Sequence, residues 1–212
     1  GTLVRPWLGA KGDVVTSAIA QSLSLDRPKG VLISNVFPGS PAEKAGLRKG
    51  DLVLSIDGRE VFDDKGMKFI AATKAEGETV DLSIISNGKP RLIRATLAAP
   101  PGTAKAELMQ VKGRNPFTGA QVAQVSPALA EEIGLDPFKF QNGMMVYTVP
   151  ARTIAASLRF QPRDIIREIN GSVIRTPQDL EAAIKRAESN PAGIWRLAID
   201  RNGERKEITL QG

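Results

Sequence analysis

Histidine and cysteine are both absent from the 212-residue sequence. Without histidine, no Ser-His-Asp or Cys-His catalytic set can be built from these residues. Without cysteine there is no disulfide, and no His/Cys zinc site is possible. No run approaches the roughly 18 apolar residues that a transmembrane helix needs, so no membrane span is expected. What is present is ordinary for a globular chain: 42% hydrophobic and 25% charged residues. That balance fits neither a disordered nor a membrane protein. No cofactor and no metal are expected.

Positive charge exceeds negative only mildly, with 29 Lys and Arg against 23 Asp and Glu, a net +6. Up to Gly102 there are 14 basic and 11 acidic residues, and beyond it 15 and 12, so each part carries +3. A nucleic-acid surface gathers its charge on one face. This even spread argues against nucleic acid as a partner. The opening Gly1-Thr2-Leu3 shows neither Met nor a signal pattern, so the chain reads as a mature product or an excised part.

The sequence repeats itself. Gly30-Val31-Leu32-Ile33, Ala42 to Leu47 and Asp51-Leu52-Val53-Leu54-Ser55-Ile56-Asp57-Gly58 recur as Gly143-Met144-Met145-Val146, Ala155 to Phe160 and Asp164-Ile165-Ile166-Arg167-Glu168-Ile169-Asn170-Gly171. Upstream, Ala18 to Leu23 answers to Ala128 to Ile133, and downstream Asn87-Gly88 answers to Asn202-Gly203. Two domains follow, residues 1–98 and 114–212, with a linker over 99–113 holding Pro100-Pro101-Gly102. Alternating apolar positions over 51–57 and 164–170 predict strands. Asp57-Gly58, Asn170-Gly171, Asn87-Gly88 and Asn202-Gly203 predict tight hairpins. Longer helices are expected near 64–75 and 177–189. Thr176 as cap, Pro177 at the first position and Asp179 in the first turn open the second of these, and Asp63 or Asp64 opens the first. The order gives an α+β fold: two small, partly open antiparallel barrels or sandwiches of 5–6 strands with two or three helices each. Gly39, Gly46 and Gly50 suit positive φ, but their counterparts are Arg152, Arg159 and Arg163. A left-handed Arg costs on the order of 1 kcal/mol, so the second copy is expected to take a different local path there.

The segment Val36-Phe37-Pro38-Gly39-Ser40-Pro41-Ala42-Glu43-Lys44-Ala45-Gly46-Leu47-Arg48-Lys49-Gly50-Asp51 resembles the core signature of a bacterial PDZ domain. Trp7-Leu8-Gly9-Ala10 resembles that family's carboxylate-binding loop, in the circularly permuted bacterial form. Asn115-Pro116-Phe117-Thr118-Gly119-Ala120 and Ser126-Pro127-Ala128-Leu129-Ala130 resemble the same regions of a second such domain. The tandem is similar to the C-terminal PDZ pair of the HtrA/Deg (Do-type) serine proteases, without their protease domain and its Gly-Asn-Ser-Gly-Gly type loop.

The resemblance implies a peptide-binding regulatory module rather than an enzyme. Loop N–H groups of Leu8, Gly9 and Ala10, and of Thr118, Gly119 and Ala120, would hold a C-terminal carboxylate, since successive backbone donors make an anion site. Arg5 and Arg114 would add positive field. The peptide would pair along the following strand edge. Its last side chain would enter a pocket walled by Met67, Ile70, Ala71 and Lys74, one helix face by spacing, or by Leu180, Ala183 and Ile184. Lys74 is the polar end of its stripe and is expected at the groove rim. Expected partners are polypeptide C-termini or unfolded segments with apolar ends, and a protease domain upstream in the parent. That parent implies a bacterial periplasm or cell envelope and protein quality control. The alternative is a non-enzymatic PDZ scaffold for an envelope or secretion complex. Ser86-Asn87-Gly88-Lys89 has Ser-x-x-Lys spacing, but it straddles a hairpin turn with no water-excluding pocket and is set aside as a catalytic site.

Overall fold

A computed structural model describes residues 5–212, so the opening Gly1-Thr2-Leu3 lies outside the described residues. The chain divides into two compact units, one ending at Pro100 and the other beginning at Pro101.

In the first unit β1 (Ala10–Val14), β2 (Val31–Val36), β3 (Leu52–Ile56), β5 (Thr79–Ser86) and β6 (Lys89–Thr96) form one antiparallel sheet in the order β1-β2-β3-β5-β6. The short β4 (Arg59–Glu60) pairs with β3. Helices α1 (Ser17–Ser22), α2 (Pro41–Lys44) and α3 (Asp64–Ala72) complete it. The sheet does not close, and among the described residues no strand pairs with the outer edge of β1. Gly12 sits on β1 where the register to β2 shifts, and a Cβ there would lie 2.3 Å from Val31 Cγ1 and 2.8 Å from the Leu32 carbonyl oxygen. Only glycine fits that approach.

The second unit repeats the plan with one strand more. β7 (Met109–Gln110), β8 (Gln121–Gln124), β9 (Met144–Thr148), β10 (Ile165–Ile169), β11 (Ser172–Val173), β12 (Ile194–Arg201) and β13 (Glu204–Gln211) make a seven-stranded sheet, β11 lying off the main path. Its helices are α4 (Pro127–Glu132), α5 (Ile154–Ser157) and α6 (Pro177–Glu188). The extra strand is β7, from the stretch read above as linker. Residues from Pro101 onward pack with this unit: the Ala128 N–H donates to the Pro101 carbonyl.

Local chemistry sets the elements. Thr176 and Asp179 form a full capping box at the start of α6, and Asp63 Oδ1 accepts the Gly66 N–H at 2.7 Å at the start of α3. A buried carboxylate pins each copy at the same place. Asp51 accepts the Arg48 N–H and the Ser86 hydroxyl, at 2.9 and 2.7 Å. Asp164, 1% exposed, accepts the Gln161 N–H and both arms of the Arg201 guanidinium at 2.7 Å. The Asp164 hydrogen bond raises the Arg201 pKa above its ordinary value. The outermost strands, β6 and β13, are strongly charged: Lys89, Arg91 and Arg94 on one, Glu204, Arg205, Lys206 and Glu207 on the other, all exposed.

The expectation of a different path at the three arginines fails. Arg152, Arg159 and Arg163 have φ of 65°, 62° and 75°, beside 74°, 93° and 92° for Gly39, Gly46 and Gly50. A Cβ added at any of those three glycines meets nothing within 4 Å, so the turn admits a side chain sterically and only the backbone is strained. Relieving that strain should stabilise the second unit. Each unit carries one buried tryptophan, Trp7 and Trp195, so the units can be followed separately. In a Trp7→Phe background, urea unfolding read by Trp195 should show Arg163→Gly gaining up to about 1 kcal/mol, while Gly50→Arg lowers the first unit by a similar amount in a Trp195→Phe background.

Candidate peptide-binding sites

The first site forms where the chain enters β1. Trp7 N–H donates to the Ala98 carbonyl, and the chain then turns through Gly9 at φ +78°. A Cβ on Gly9 would lie 2.3 Å from Ser40 Cβ, so the loop rests directly on the residue that caps α2. The carbonyls of Leu8 and Gly9 are engaged by the Ala42 and Phe37 N–H groups, at 2.9 and 2.8 Å. Their own N–H groups donate to no described residue. Ala10 follows Gly9 and faces Val36, and strand alternation turns its N–H and carbonyl away from β2, toward the free edge. Three successive amides are thereby left at the mouth of an open strand edge, beside an apolar floor.

Helix α3 runs beside that edge. Met67, Ile70 and Ala71 are at most 4% exposed and belong to the first unit's core cluster. Lys74, the polar end of the stripe, is ion-paired. Its ammonium lies 3.0 Å from Asp57 Oδ2 and 3.6 Å from Glu78 Oε1, and the Asp57 hydrogen bond raises its pKa. Asp57 is in turn held below the ordinary carboxylate range, first by the Asp81 N–H and then by Lys74. Arg5 is exposed.

One side chain beside β1 was not anticipated. Asp64 Oδ1 accepts the Gly12 N–H at 3.0 Å, a donor on the outward side of β1. Asp64 Oδ2 also lies 3.3 Å from Lys68 Nζ, one turn on. Read as a helix-start acid, Asp64 instead bridges α3 to the strand edge, while Asp63 alone does the capping. The only sequence signal was the doubled aspartate, one more acid than a cap needs.

The second site has the same frame in a different state. Gly119 has φ +92°, and a Cβ there would lie 2.3 Å from Thr153 Cγ2, matching the Gly9 and Ser40 contact. Here, however, every loop amide has an acceptor. Thr118 N–H donates to the Asn115 carbonyl, Gly119 N–H to Val111 and Ala120 N–H to Phe117, at 3.2, 2.9 and 3.0 Å. Buried Asn115 braces the loop through the Lys112 carbonyl and the Phe117 N–H. Thr118 accepts the Asn115 N–H and donates to the Gly113 carbonyl, so it ties the loop rather than walling a pocket. Strand β7 covers the edge of β8, with Met109 facing Val122 and Gln110 facing Gln121. Leu180, Ala183 and Ile184 share one buried cluster with Val111. Arg114 contributes its backbone N–H, which donates to Glu188 Oε1 at 3.0 Å. As carboxylate donors, Thr118, Gly119 and Ala120 are already engaged in this conformation.

The loop contact can be tested against an internal control. Gly9 and Gly39 share positive φ, but only Gly9 abuts a neighbour. Gly39→Ala should cost about 1 kcal/mol for φ alone, and Gly9→Ala roughly 1–3 kcal/mol more for the collision, read by Trp7 emission in urea.

Residues 8–97 match the PDZ domain family. A probable periplasmic serine endoprotease, DegP-like, of Marinomonas sp. (strain MWYL1) is 33% identical over 193 residues, covering 91% of this chain and 39% of that protein. The DegP-like protein of Halomonas elongata is 28% identical, covering 93% of this chain and 40% of that one. The chain thus spans about two-fifths of the length of these curated relatives. Among solved structures, the HtrA-type protease AlgW with decapeptide aligns at 28% identity and a TM-score of 0.42, covering 48% of this chain and 31% of that one. Residues 8–97 are a PDZ domain, and the chain is a tandem of PDZ-type domains, similar over nearly its whole length to part of the DegP-like serine endoproteases and holding no protease domain of its own.

Proposed function

We propose that the chain is the substrate-capturing part of a periplasmic serine endopeptidase of the HtrA/Deg type, and that its first domain binds C-terminal carboxylates or extended apolar ends of misfolded envelope proteins. The observation that carries this reading is the run of Leu8, Gly9 and Ala10 amides at the edge of β1, for which the described residues offer no acceptor. A peptide carboxylate suits such donors, each charge-assisted bond contributing roughly 1.5–3 kcal/mol. The peptide backbone then extends the sheet beyond β1, and its last side chain packs between β1 and α3 near Ala71.

Asp64 sets a condition on entry. The incoming strand needs the Gly12 N–H, which the Asp64 carboxylate holds at 3.0 Å. Binding therefore exchanges one hydrogen bond for another instead of gaining one outright, which keeps affinity modest. A module that samples many chain ends is served by that exchange. The capture reading stands apart from the scaffold alternative because it needs a free carboxylate.

Fluorescence polarisation of labelled peptides ending in Val, Leu, Phe or Ala, each beside its C-terminally amidated twin, tests this. The acids should bind in the micromolar range, and amidation should weaken them tenfold or more, about 1.4 kcal/mol. Equal binding of acid and amide would sink carboxylate capture. Asp64→Ala should strengthen acid peptides by roughly fivefold, about 1 kcal/mol, by freeing the Gly12 amide.

A further inference from the structure

The second groove is occupied by the chain itself, and the occupant has the bonding pattern of a ligand. Val111 N–H donates to the Ala120 carbonyl at 2.9 Å, and the Gly119 N–H donates to the Val111 carbonyl at 2.9 Å. Met109 lies opposite Val122 on the same edge, antiparallel to β8. Val111 is 4% exposed and sits in the apolar cluster that also holds Leu180, Ile184 and Ala187 of α6. Met109 packs against that cluster, while Gln110 between them is exposed. Alternate side chains are therefore used, as in strand addition to a sheet edge. The carbonyl of Val111 stands where a terminal carboxylate oxygen would meet the loop. The chain then leaves through Gly113 at φ +93°, and Arg114 N–H is held by Glu188.

We propose that Met109-Gln110-Val111 is a built-in ligand of the second domain, and that this groove accepts free peptide C-termini ending in a β-branched residue with an apolar residue two places before it, once the segment is displaced. The inference rests on the peptide-capture reading and extends it to a second site with its own preference. Tethering keeps the occupant at a high local concentration, so a free peptide competes at a disadvantage set by the fraction of time the edge is bare. A free peptide has one advantage over the segment. Its carboxylate brings a full charge to a loop flanked by Lys112 and Arg114, where Val111 offers only a neutral carbonyl.

The probe is the hexapeptide Ala-Glu-Leu-Met-Gln-Val with a free carboxylate, added to the isotopically labelled full chain and followed by backbone amide shifts. The intact chain should show shifts confined to residues 8–14 at low peptide concentration. Val111→Asp places a charge in the apolar cluster and should eject the segment, so shifts should then appear over 118–124 and calorimetry should count two equivalents instead of one. Val111→Ala should do the same more weakly, with about tenfold tighter apparent binding at the second site than the intact chain. Trp195 emission reports whether the second unit stays folded. Shifts over 118–124 of equal affinity in intact and Val111→Asp chains would overturn the proposal, since the segment would not compete. So would a folded Val111→Asp chain with no second site, or loss of the fold in both variants, since a built-in ligand must be removable. Failure at residues 8–14 alone would strike the first-domain reading and leave this one standing.

Discussion

The amides of a sheet edge next to packed side chains need partners from protein, water or ligand, because a buried N–H or carbonyl lacking one costs about as much as a lost hydrogen bond. That constraint governs both domains. Neither sheet closes on itself, so each keeps a strand, β1 or β8, whose outer side must be satisfied from elsewhere. The first domain does so sparingly, with one carboxylate on Gly12 and no acceptor among the described residues for three loop amides. The second does so fully, with a strand of its own.

The two answers trace to single positions. Asp63 and Asp64 open α3, whereas Thr176 and Pro177 open α6 at the matching places. Proline has no side-chain acceptor to offer the strand, so nothing on α6 replaces the Asp64 bridge. Residues inserted before the second loop supply the cover instead. Everything beneath is shared: a left-handed glycine resting on a capping hydroxyl residue, and a buried aspartate pinning the strand that follows α2 or α5. The frame is duplicated and the edge is where the copies diverge.

Much of the frame was legible in the sequence because it is written in local rules. The repeat, the Asn-Gly hairpins, the Thr176 cap and the apolar stripe of Met67, Ile70 and Ala71 each follow from a few neighbouring residues. The groove chemistry was harder, because it depends on pairing between distant segments. Met109-Gln110-Val111 lies in a stretch bounded by Pro100-Pro101-Gly102 and Gly113, and nothing local marks Met109 and Gln110 as a strand paired with Val122 and Gln121. Asp64 was hidden by an adjacent acid able to do the expected job. Lys74 fitted the stripe by spacing but found acidic partners at 3.0 and 3.6 Å. The arginines at left-handed positions misled for a different reason: propensity priced the backbone correctly, and open space around the turns let the fold keep it anyway.

At the far side of each sheet the outermost strand takes the opposite approach. β6 presents Lys89, Pro90, Arg91 and Arg94, and β13 presents Glu204, Arg205, Lys206 and Glu207. Like charges and Pro90 on β6, and a run of charged side chains of both signs on β13, discourage a second molecule from docking edge to edge. This protection is electrostatic, and the screening length falls to about 3 Å in molar salt. The tendency of the chain to stay dispersed when concentrated or salted is therefore set in part at β6 and β13, far along each sheet from β1 and β8.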